Sequence, residues 1–200
     1  MEKLKSFFEF LNKFISISEE EFTRLFIPII SLRKFPKKFI VLEEGDTEEY
    51  FNFILKGLVR KYFKKGNDEI NTQISYEGQV IHSQESFYSH GPSEYYIETM
   101  EPTIFVSITH NDLENLFAGS KKMEYLGRKV ITYAMVIKDN WQIKMIKYNP
   151  RERFLDFVSK NPELIQRVPQ KLLASLLRIK PETFSRFKHL LRPYVKSGIS

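Results

Sequence analysis

The feature that most restricts the fold of this chain is a change in the spacing of its apolar residues. Between about residues 31 and 110, short apolar runs alternate with turn sequences such as Glu44-Gly45-Asp46 and Lys65-Gly66-Asn67-Asp68. Turn signals that recur about every 8–12 residues between short strands are typical of an all-β sandwich or barrel. The predicted strands cover residues 39–42, 50–55, 58–63, 69–75, 95–99 and 103–109.

On both sides of this region the apolar spacing is helical. Residues 1–30 predict two helices, the second capped by Ser18. A longer helix, capped by Asn111, is predicted to run to residue 148, and its apolar residues recur at near-heptad spacing. That seam consists of Leu126, Val130, Tyr133, Ile137 and Trp141. Either the helix packs only on its own β-domain, or it pairs with a second copy of the chain; its length favours pairing.

The dipeptide Asn149-Pro150 is predicted to end the long helix, because a residue that precedes proline is pushed out of the α region. This makes it a natural hinge. A further helical block is predicted from Arg151 to Ser159, and Asn161-Pro162 is expected to open a short linker.

The stretch PQKLLASLLRIKPETFSRFKHLL, residues 169–191, predicts two helices joined by a tight step. Pro169 suits the first turn of one helix, and Pro181 suits the first position of the next. The apolar faces that would meet across the step contain Leu173, Ala174, Leu177, Phe184 and Phe187. Polar and basic residues remain on the outer side of the second helix, as in a helix-turn-helix.

Charge is distributed unevenly along the chain. Residues 151–200 contain 11 Lys and Arg against 4 Asp and Glu, a net of +7, whereas residues 1–150 contain 20 against 21, a net of −1. A basic end on a neutral body indicates a polyanionic partner for that end. The alternative is a solvated basic tail, but Leu and Phe at helical spacing indicate that the segment is folded.

Taken in order, these parts resemble the cyclic-AMP receptor protein/fumarate-nitrate regulator (Crp/Fnr) superfamily. The stretch VLEEGDTEEYFNFILKGLVRKYF resembles the effector β-roll of that superfamily, with Gly45 and Gly57 at its turn glycines. The resemblance implies an α+β fold in three parts. They are a cyclic-nucleotide-binding-like β-roll (a double-stranded β-helix) with N-terminal helices at 1–110, a dimerisation helix at 111–148, and a helix-turn-helix domain with a reduced wing at 149–200.

The resemblance also implies a homodimer that binds a near-palindromic operator in double-stranded DNA. Glu182 and Arg186 match the positions that contact base edges, and Gln170, Thr183 and Lys188 are candidates for phosphate contacts. Lys180, Ser185 and His189 are also expected on the outer, DNA-facing side. RNA polymerase is a candidate partner.

Two features depart from the superfamily pattern. The position in the step that usually holds glycine is Arg178, where a left-handed backbone would be strained, so the step could differ in shape. In addition, only nine residues, 192–200, follow the predicted helix pair, which is too few for a full β-hairpin wing. An alternative function follows, namely an effector-sensing or protein-interaction dimer that has lost sequence-specific DNA binding.

The expected effector pocket lies in EGQVIHSQESFYSHGPSEYYIET. By the resemblance, Ser83 takes the place of the ribose-binding glutamate, and Ser93-Glu94 takes the place of the phosphate-binding Arg-Ser pair. A buried phosphate beside Glu94, without an arginine, would be strongly unfavourable. The chain is therefore predicted not to bind cyclic AMP in the usual mode, and its effector stays open. The candidate pocket residues are His82, Ser83, Gln84, Ser93, Glu94 and Tyr95.

Several classes of function are excluded or disfavoured by composition. The chain has no cysteine, so disulfides, Cys-ligated zinc and Cys-ligated iron–sulfur clusters are excluded. Its four histidines are isolated, which disfavours a cupin-type metal site. Haem could be bound only through a lone histidine, His82, His90 or His110, and is therefore disfavoured. No hydrolase or phosphate-loop motif is present. We expect no catalytic residues, no metal, no cofactor and no membrane span, and a cytoplasmic location.

Overall fold

The computed structural model describes residues 2–188, which divide into two compact units. The first unit contains residues 2–68 and 72–134, and the second contains 69–71 and 135–188. His189 and residues 190–200, where the wing departure was noted, lie outside the described residues. No helix among residues 2–188 is long and apolar enough to cross a membrane.

Two short helices, α1 (Lys5–Asn12) and α2 (Glu19–Leu25), precede the strands of the first unit. The predicted cap of α2 is confirmed. Ser18 Oγ accepts a hydrogen bond from Glu21 N at 3.1 Å, and the Glu21 carboxylate accepts one from Ser18 N at 3.0 Å. This reciprocal capping box satisfies two backbone donors that the helix itself leaves free.

Within residues 2–188, eight strands form two four-stranded sheets. The first sheet has the order β1-β8-β3-β6 and the second has the order β2-β7-β4-β5. The strands are β1 (Ser31–Phe35), β2 (Ile40–Leu42), β3 (Tyr50–Lys56), β4 (Leu58–Lys65), β5 (Asp68–Tyr76), β6 (Val80–Ile81), β7 (Tyr96–Thr99) and β8 (Thr103–Thr109). The predicted all-β region is confirmed; β1, β6 and the short helix α3 (Gln84–Ser89) were not predicted from the sequence.

The first sheet is covered on both faces, which explains why its central strands are apolar at consecutive positions. In β3, Ile54 belongs to the core between the sheets, whereas Phe53 packs with the aromatic residues of α1 and α2. In β8, Phe105 likewise belongs to the core between the sheets, whereas Val106 packs with the residues of α1 and α2. The rings of Phe53 and Phe7 lie 5.1 Å apart, so the N-terminal helices form one wall of this aromatic core.

The prediction of a single helix over 111–148 is wrong. The structure has α4 (His110–Ala118) and α5 (Lys121–Lys147), separated by Gly119 and Ser120. The cap of α4 is Thr109 rather than Asn111, because Thr109 Oγ1 accepts a hydrogen bond from Asp112 N at 3.1 Å. Gly119 N donates to Asn115 O at 3.0 Å, and Gly119 is the C-terminal cap of α4. The spacing of apolar residues did not reveal this helix end.

The prediction that the five-residue seam on this helix faces a second copy is also wrong for part of the seam, because three of its residues pack within the chain. Leu126 is buried in the core of its own unit, Val130 packs against that core, and the Trp141 ring contacts Phe157 at 6.4 Å. Tyr133 and Ile137 stay half exposed. The exposed apolar side chains of α5 also include Met135, Val136, Ile143 and Ile146.

Helices alone form the regular structure of residues 135–188. After α5 come α6 (Pro150–Lys160), α7 (Pro162–Arg167), α8 (Gln170–Leu176) and α9 (Pro181–Lys188). The helix boundary at Asn149-Pro150 is confirmed, and Asn149 caps α6 through hydrogen bonds from Arg151 N and Glu152 N. The linker expected after Asn161 is instead the helix α7, with Pro162 in its first turn, where proline is tolerated.

Candidate DNA-binding surface and sandwich interior

The step between α8 and α9 has the left-handed turn of a Schellman motif. Arg178 has a φ of +53°, its N–H donates to Ser175 O at 3.0 Å, and Ile179 N donates to Ala174 O at 3.0 Å. The suggestion from the sequence that Arg178 gives the step a different shape is therefore wrong, because the arginine adopts the left-handed conformation that glycine usually takes. The two hydrogen bonds satisfy carbonyls at the end of α8, which offsets the strain of a Cβ in this conformation.

The helix α9 is held in place by an aromatic anchor. Pro181 is its first residue, as predicted, and Phe184 is fully buried, with its ring 5.1 Å from that of Phe154 in α6. The Phe187 ring lies 5.6 Å from the same Phe154 ring. Leu173 of α8 and Leu177, the C-terminal cap of α8, are fully buried in the same unit. The predicted apolar faces are therefore buried, and Phe154 is the central partner that sequence spacing did not reveal.

Most of the predicted DNA-contacting residues lie on α9 or directly before it. Lys180, Glu182, Ser185, Arg186 and Lys188 are exposed, and Thr183 is half-buried. Gln170 is the first residue of α8 and is half-buried. Because Phe184 fixes the rotation of α9, this polar surface is presented to solvent by a helix that cannot roll freely.

A second arginine lies close to the step and was not singled out from the sequence. The Nε atom of Arg153 is buried and lacks a hydrogen-bond partner among the described residues. Burial lowers the pKa of Arg153 below its usual value, and the positive charge of Arg178 lowers that pKa further. The α6–α8 side of the step is thus a region of concentrated positive charge.

Two of the predicted effector residues meet inside the β-sandwich and bond to each other. Ser93 Oγ lies 2.8 Å from Ser83 Oγ, and both side chains are buried. Ser93 Oγ also accepts a hydrogen bond from Tyr95 N at 3.0 Å. Glu94 is exposed and Gln84 is the first residue of α3, so neither joins this pair in the interior.

The main acidic group of the interior is Glu48, which sequence reasoning missed. Its side chain is buried; Oε1 accepts a hydrogen bond from Tyr50 N at 3.1 Å, and Oε2 accepts one from Ser83 N at 3.2 Å. Burial raises the pKa of Glu48, against the opposing effect of those two N–H donors and the charges of Arg33 and Lys61. A sequence signal for Glu48 existed. It lies six residues before the inward-facing Ile54, and because side chains at even spacings along a strand point to the same face, Glu48 could have been predicted to face inward.

His82 is half-buried, and both of its ring nitrogens are buried among aromatic rings rather than exposed as possible ligands. Its ring is 5.5 Å from Phe51 and 5.3 Å from Phe87, and neither ring nitrogen has a hydrogen-bond partner among the described residues. Burial lowers the pKa of His82 to about 3, with a further contribution from Lys61, so the imidazole is neutral. Lys61 Nζ donates to the His82 carbonyl at 3.2 Å.

Comparison with known proteins agrees with this architecture. Residues 32–120 match the family model of the cyclic nucleotide-binding domain. No curated protein matches the chain.

Solved structures give the likeness over most of the chain. FixK2 from Bradyrhizobium japonicum has a TM-score of 0.69 at 16% identity, over 83% of this chain and 86% of its own. The c-di-GMP-responsive regulator CLP of Xanthomonas campestris has a TM-score of 0.64 at 18% identity, over 90% and 93%. The Thermus thermophilus catabolite activator protein has a TM-score of 0.55 at 15% identity, over 90% and 86%. At these identities the likeness shows the fold, and the fold predicted from the sequence is confirmed.

Proposed function

We propose that this chain, whose residues 32–120 match the cyclic nucleotide-binding domain and whose fold is that of the Crp/Fnr regulators, is a transcription regulator that binds DNA as a homodimer. The observation that carries the proposal is the outer face of α9, which is polar and partly basic and is anchored from behind by Phe184. A fixed helix with an exposed polar face is what a major groove accepts.

Specific contacts are assigned to two residues of α9. The planar guanidinium of Arg186 can donate to O6 and N7 of guanine, and the carboxylate of Glu182 can accept from N4 of cytosine. Lys180, Thr183, Ser185 and Lys188, together with Gln170 at the start of α8, supply donors for phosphate oxygens. His189 is included in this set, although it lies outside the described residues.

Dimerisation is assigned to the exposed apolar stripe of α5. Tyr133, Val136, Ile143 and Ile146 follow one another at spacings of 3, 7 and 3 residues, which keeps them on one side of a helix. These four residues are 51%, 53%, 49% and 78% exposed, which is unusual for large apolar residues. A second copy of the chain that covers the stripe would remove this exposure from water. A symmetric dimer would present two α9 helices to successive major grooves, roughly 34 Å apart.

The regulator is proposed to act without cyclic AMP. The carboxylate of Glu48 already accepts the Ser83 N–H, and Ser83 and Ser93 are bonded to each other, so the groups that would hold a ribose phosphate have internal partners. Equilibrium dialysis with labelled cyclic AMP should therefore detect no saturable binding, and stoichiometric binding would refute this part of the proposal.

The proposed DNA binding is tested by selection from random duplex DNA, followed by titrations at several salt concentrations. The wild type should enrich a near-palindrome. Arg186→Ala should relax preference at one base of each half-site, at a cost of about 1–3 kcal/mol per contact. Lys188→Ala should weaken binding to all sequences equally and reduce its salt dependence.

Lys37→Ala is the matched control, because it removes one exposed lysine from the turn between β1 and β2. It should leave both affinity and sequence preference unchanged. Equal loss on all sequences for Arg186→Ala would contradict its role in base reading. A stable dimer that enriches no sequence would contradict DNA recognition and favour the sensing or protein-interaction alternative.

A further inference from the structure

A groove lies among three helices of the first unit and is separate from the sandwich interior. It has a volume of about 280 Å³, and the described residues that line it all belong to α3, α4 and α5. We call it the helix groove, and its floor consists of Phe117, Gly127 and Ile131. Its volume is near the lower end of the roughly 300–1,000 Å³ typical of small-molecule sites, so an occupant would be about the size of one substituted ring.

The floor of the helix groove is apolar and continues into the protein. A smaller space of about 40 Å³ shares Tyr88, Phe117, Gly127 and Ile131 with the groove and extends to the aromatic core. A Cβ on Gly127 would lie 2.6 Å from Cζ of Phe117, so the glycine allows the Phe117 ring to rest directly on α5. Glycine inside a long helix is otherwise unfavourable, and here it creates the flat aromatic floor.

The rim of the helix groove has an excess of negative charge. Glu114 and Glu124 line it, against the single cation Arg128, which gives a formal charge of −1. The guanidinium of Arg128 lies 4.9 Å from the centre of the Tyr125 ring, so part of its interaction is with that ring. Glu114 Oε1 is 4.0 Å from His110 Nε2, which is an ion pair only when the imidazole is protonated.

Tyr88 adds a neutral polar group at the same rim. Burial raises the pKa of Tyr88, and the charge of Glu114 raises that pKa further, so its hydroxyl keeps its proton at neutral pH. The rim thus offers two carboxylates and a hydroxyl above a hydrocarbon and aromatic floor. Opposite charge and apolar shape together favour a cation that carries a ring.

We propose that the helix groove is a binding site for a small aromatic amine, with its ring on Phe117 and Ile131 and its ammonium group facing Glu114 and Glu124. The site belongs to one chain and does not depend on the proposed DNA binding or dimerisation. Because α5 forms one wall, an occupant contacts the helix that carries the exposed apolar stripe.

The test uses the full-length protein and 2-phenylethylamine as the probe, with binding measured by calorimetry and by amide chemical-shift changes at low salt. Saturable binding should occur, with the largest shifts at residues of α3, α4 and α5. Phenylacetate, which has a similar ring and the opposite charge, should bind at least about tenfold more weakly, and butylamine, which lacks the ring, should also bind more weakly.

The variant Glu114→Gln/Glu124→Gln should bind 2-phenylethylamine roughly three- to tenfold more weakly, since both carboxylates are exposed and partly screened. Glu43→Gln/Glu44→Gln is the matched control, because it removes the same charge from exposed positions between β2 and β3. Absence of saturable binding, an equal loss in both variants, equal binding of phenylacetate, or shifts confined to other elements would each overturn the proposal.

Discussion

The N–H of Ile179 donates a 3.0 Å hydrogen bond to the carbonyl oxygen of Ala174, and the chain closes this loop through Arg178 at a φ of +53°. The hydrogen bond needs a left-handed residue at position 178, and glycine is the residue that adopts this conformation without strain. Arginine occupies this position instead, and its positive charge acts on Arg153. The strain and the concentrated positive charge occur at the same point, directly before the exposed helix α9.

Arg178→Gly should therefore stabilise the second unit by about 1 kcal/mol, because it removes the contact between Cβ and the carbonyl in a left-handed residue. Urea unfolding measures this change. Arg178→Ala is the matched control, since it removes the charge near Arg153 but keeps the Cβ. If alanine is as stabilising as glycine, charge repulsion rather than backbone strain is the cause, and the prediction is wrong.

Gly57→Ala should destabilise the first unit more than Gly45→Ala. Both glycines have positive φ, +105° and +94°, and share a conformational cost of roughly 1–3 kcal/mol for alanine. A Cβ on Gly57 would also lie 2.5 Å from Oγ1 of Thr103 and 2.8 Å from Pro102 O, whereas nothing lies within 4 Å of one on Gly45. The contact should add about 1–3 kcal/mol to the loss measured by thermal or urea unfolding. Equal losses would contradict the close approach.

Glu48 should make stability depend on pH. Burial raises its folded-state pKa above the usual 4.5, so the folded protein holds this proton more strongly than the unfolded chain. The resulting contribution to stability is fully present below about pH 4.5 and is lost as the pH rises through the raised pKa. The free energy of unfolding of the wild type, measured relative to Glu48→Gln, should therefore fall as the pH is raised above 4.5. The exposed Glu43→Gln should show no such trend, and a flat difference for Glu48→Gln would contradict the prediction.

Val136→Glu should weaken the proposed dimer. Each copy would place an unpaired carboxylate in an apolar interface, at a desolvation cost of roughly 3 kcal/mol. That cost corresponds to an increase in the dimer Kd of at least about 100-fold. Lys138→Glu is the control, because residues two apart on a helix face different directions and Lys138 is exposed. Sedimentation equilibrium should find Val136→Glu monomeric at concentrations where the control is dimeric. If Val136→Glu and Lys138→Glu dimerise with equal affinity, the dimer interface does not include the exposed apolar stripe.

The sequence predicted features that repeat locally. The alternating strands, the Ser18 cap, the boundary at Asn149-Pro150 and the two-helix step at Pro181 all follow from short-range geometry, and the structure contains each of them. Helix ends were less predictable. Gly119 divides α4 from α5, although apolar spacing continues across it, because periodicity reports which face is buried and not where the backbone hydrogen bonds stop.

The candidate sites show the same division. The exposed residues of α9 could be predicted because one helix face is set by spacing alone. The interior of the sandwich could not, since Glu48 and Ser83 are 35 residues apart and meet only when two strands and α3 pack. The packing of Leu126 and Val130 on their own unit was missed for a related reason, because an apolar residue on a helix does not specify which surface covers it.

The sequence by itself determined the all-β middle region, the basic C-terminal quarter and the two-helix step before Pro181, because these depend on near neighbours and on composition. Only the tertiary structure decided that Phe154 anchors α9, that Glu48 occupies the sandwich interior, and that Gly127 allows Phe117 to form the floor of a groove. Those relationships join residues distant in sequence, and their energies come from burial and desolvation, which exist only after the chain has packed.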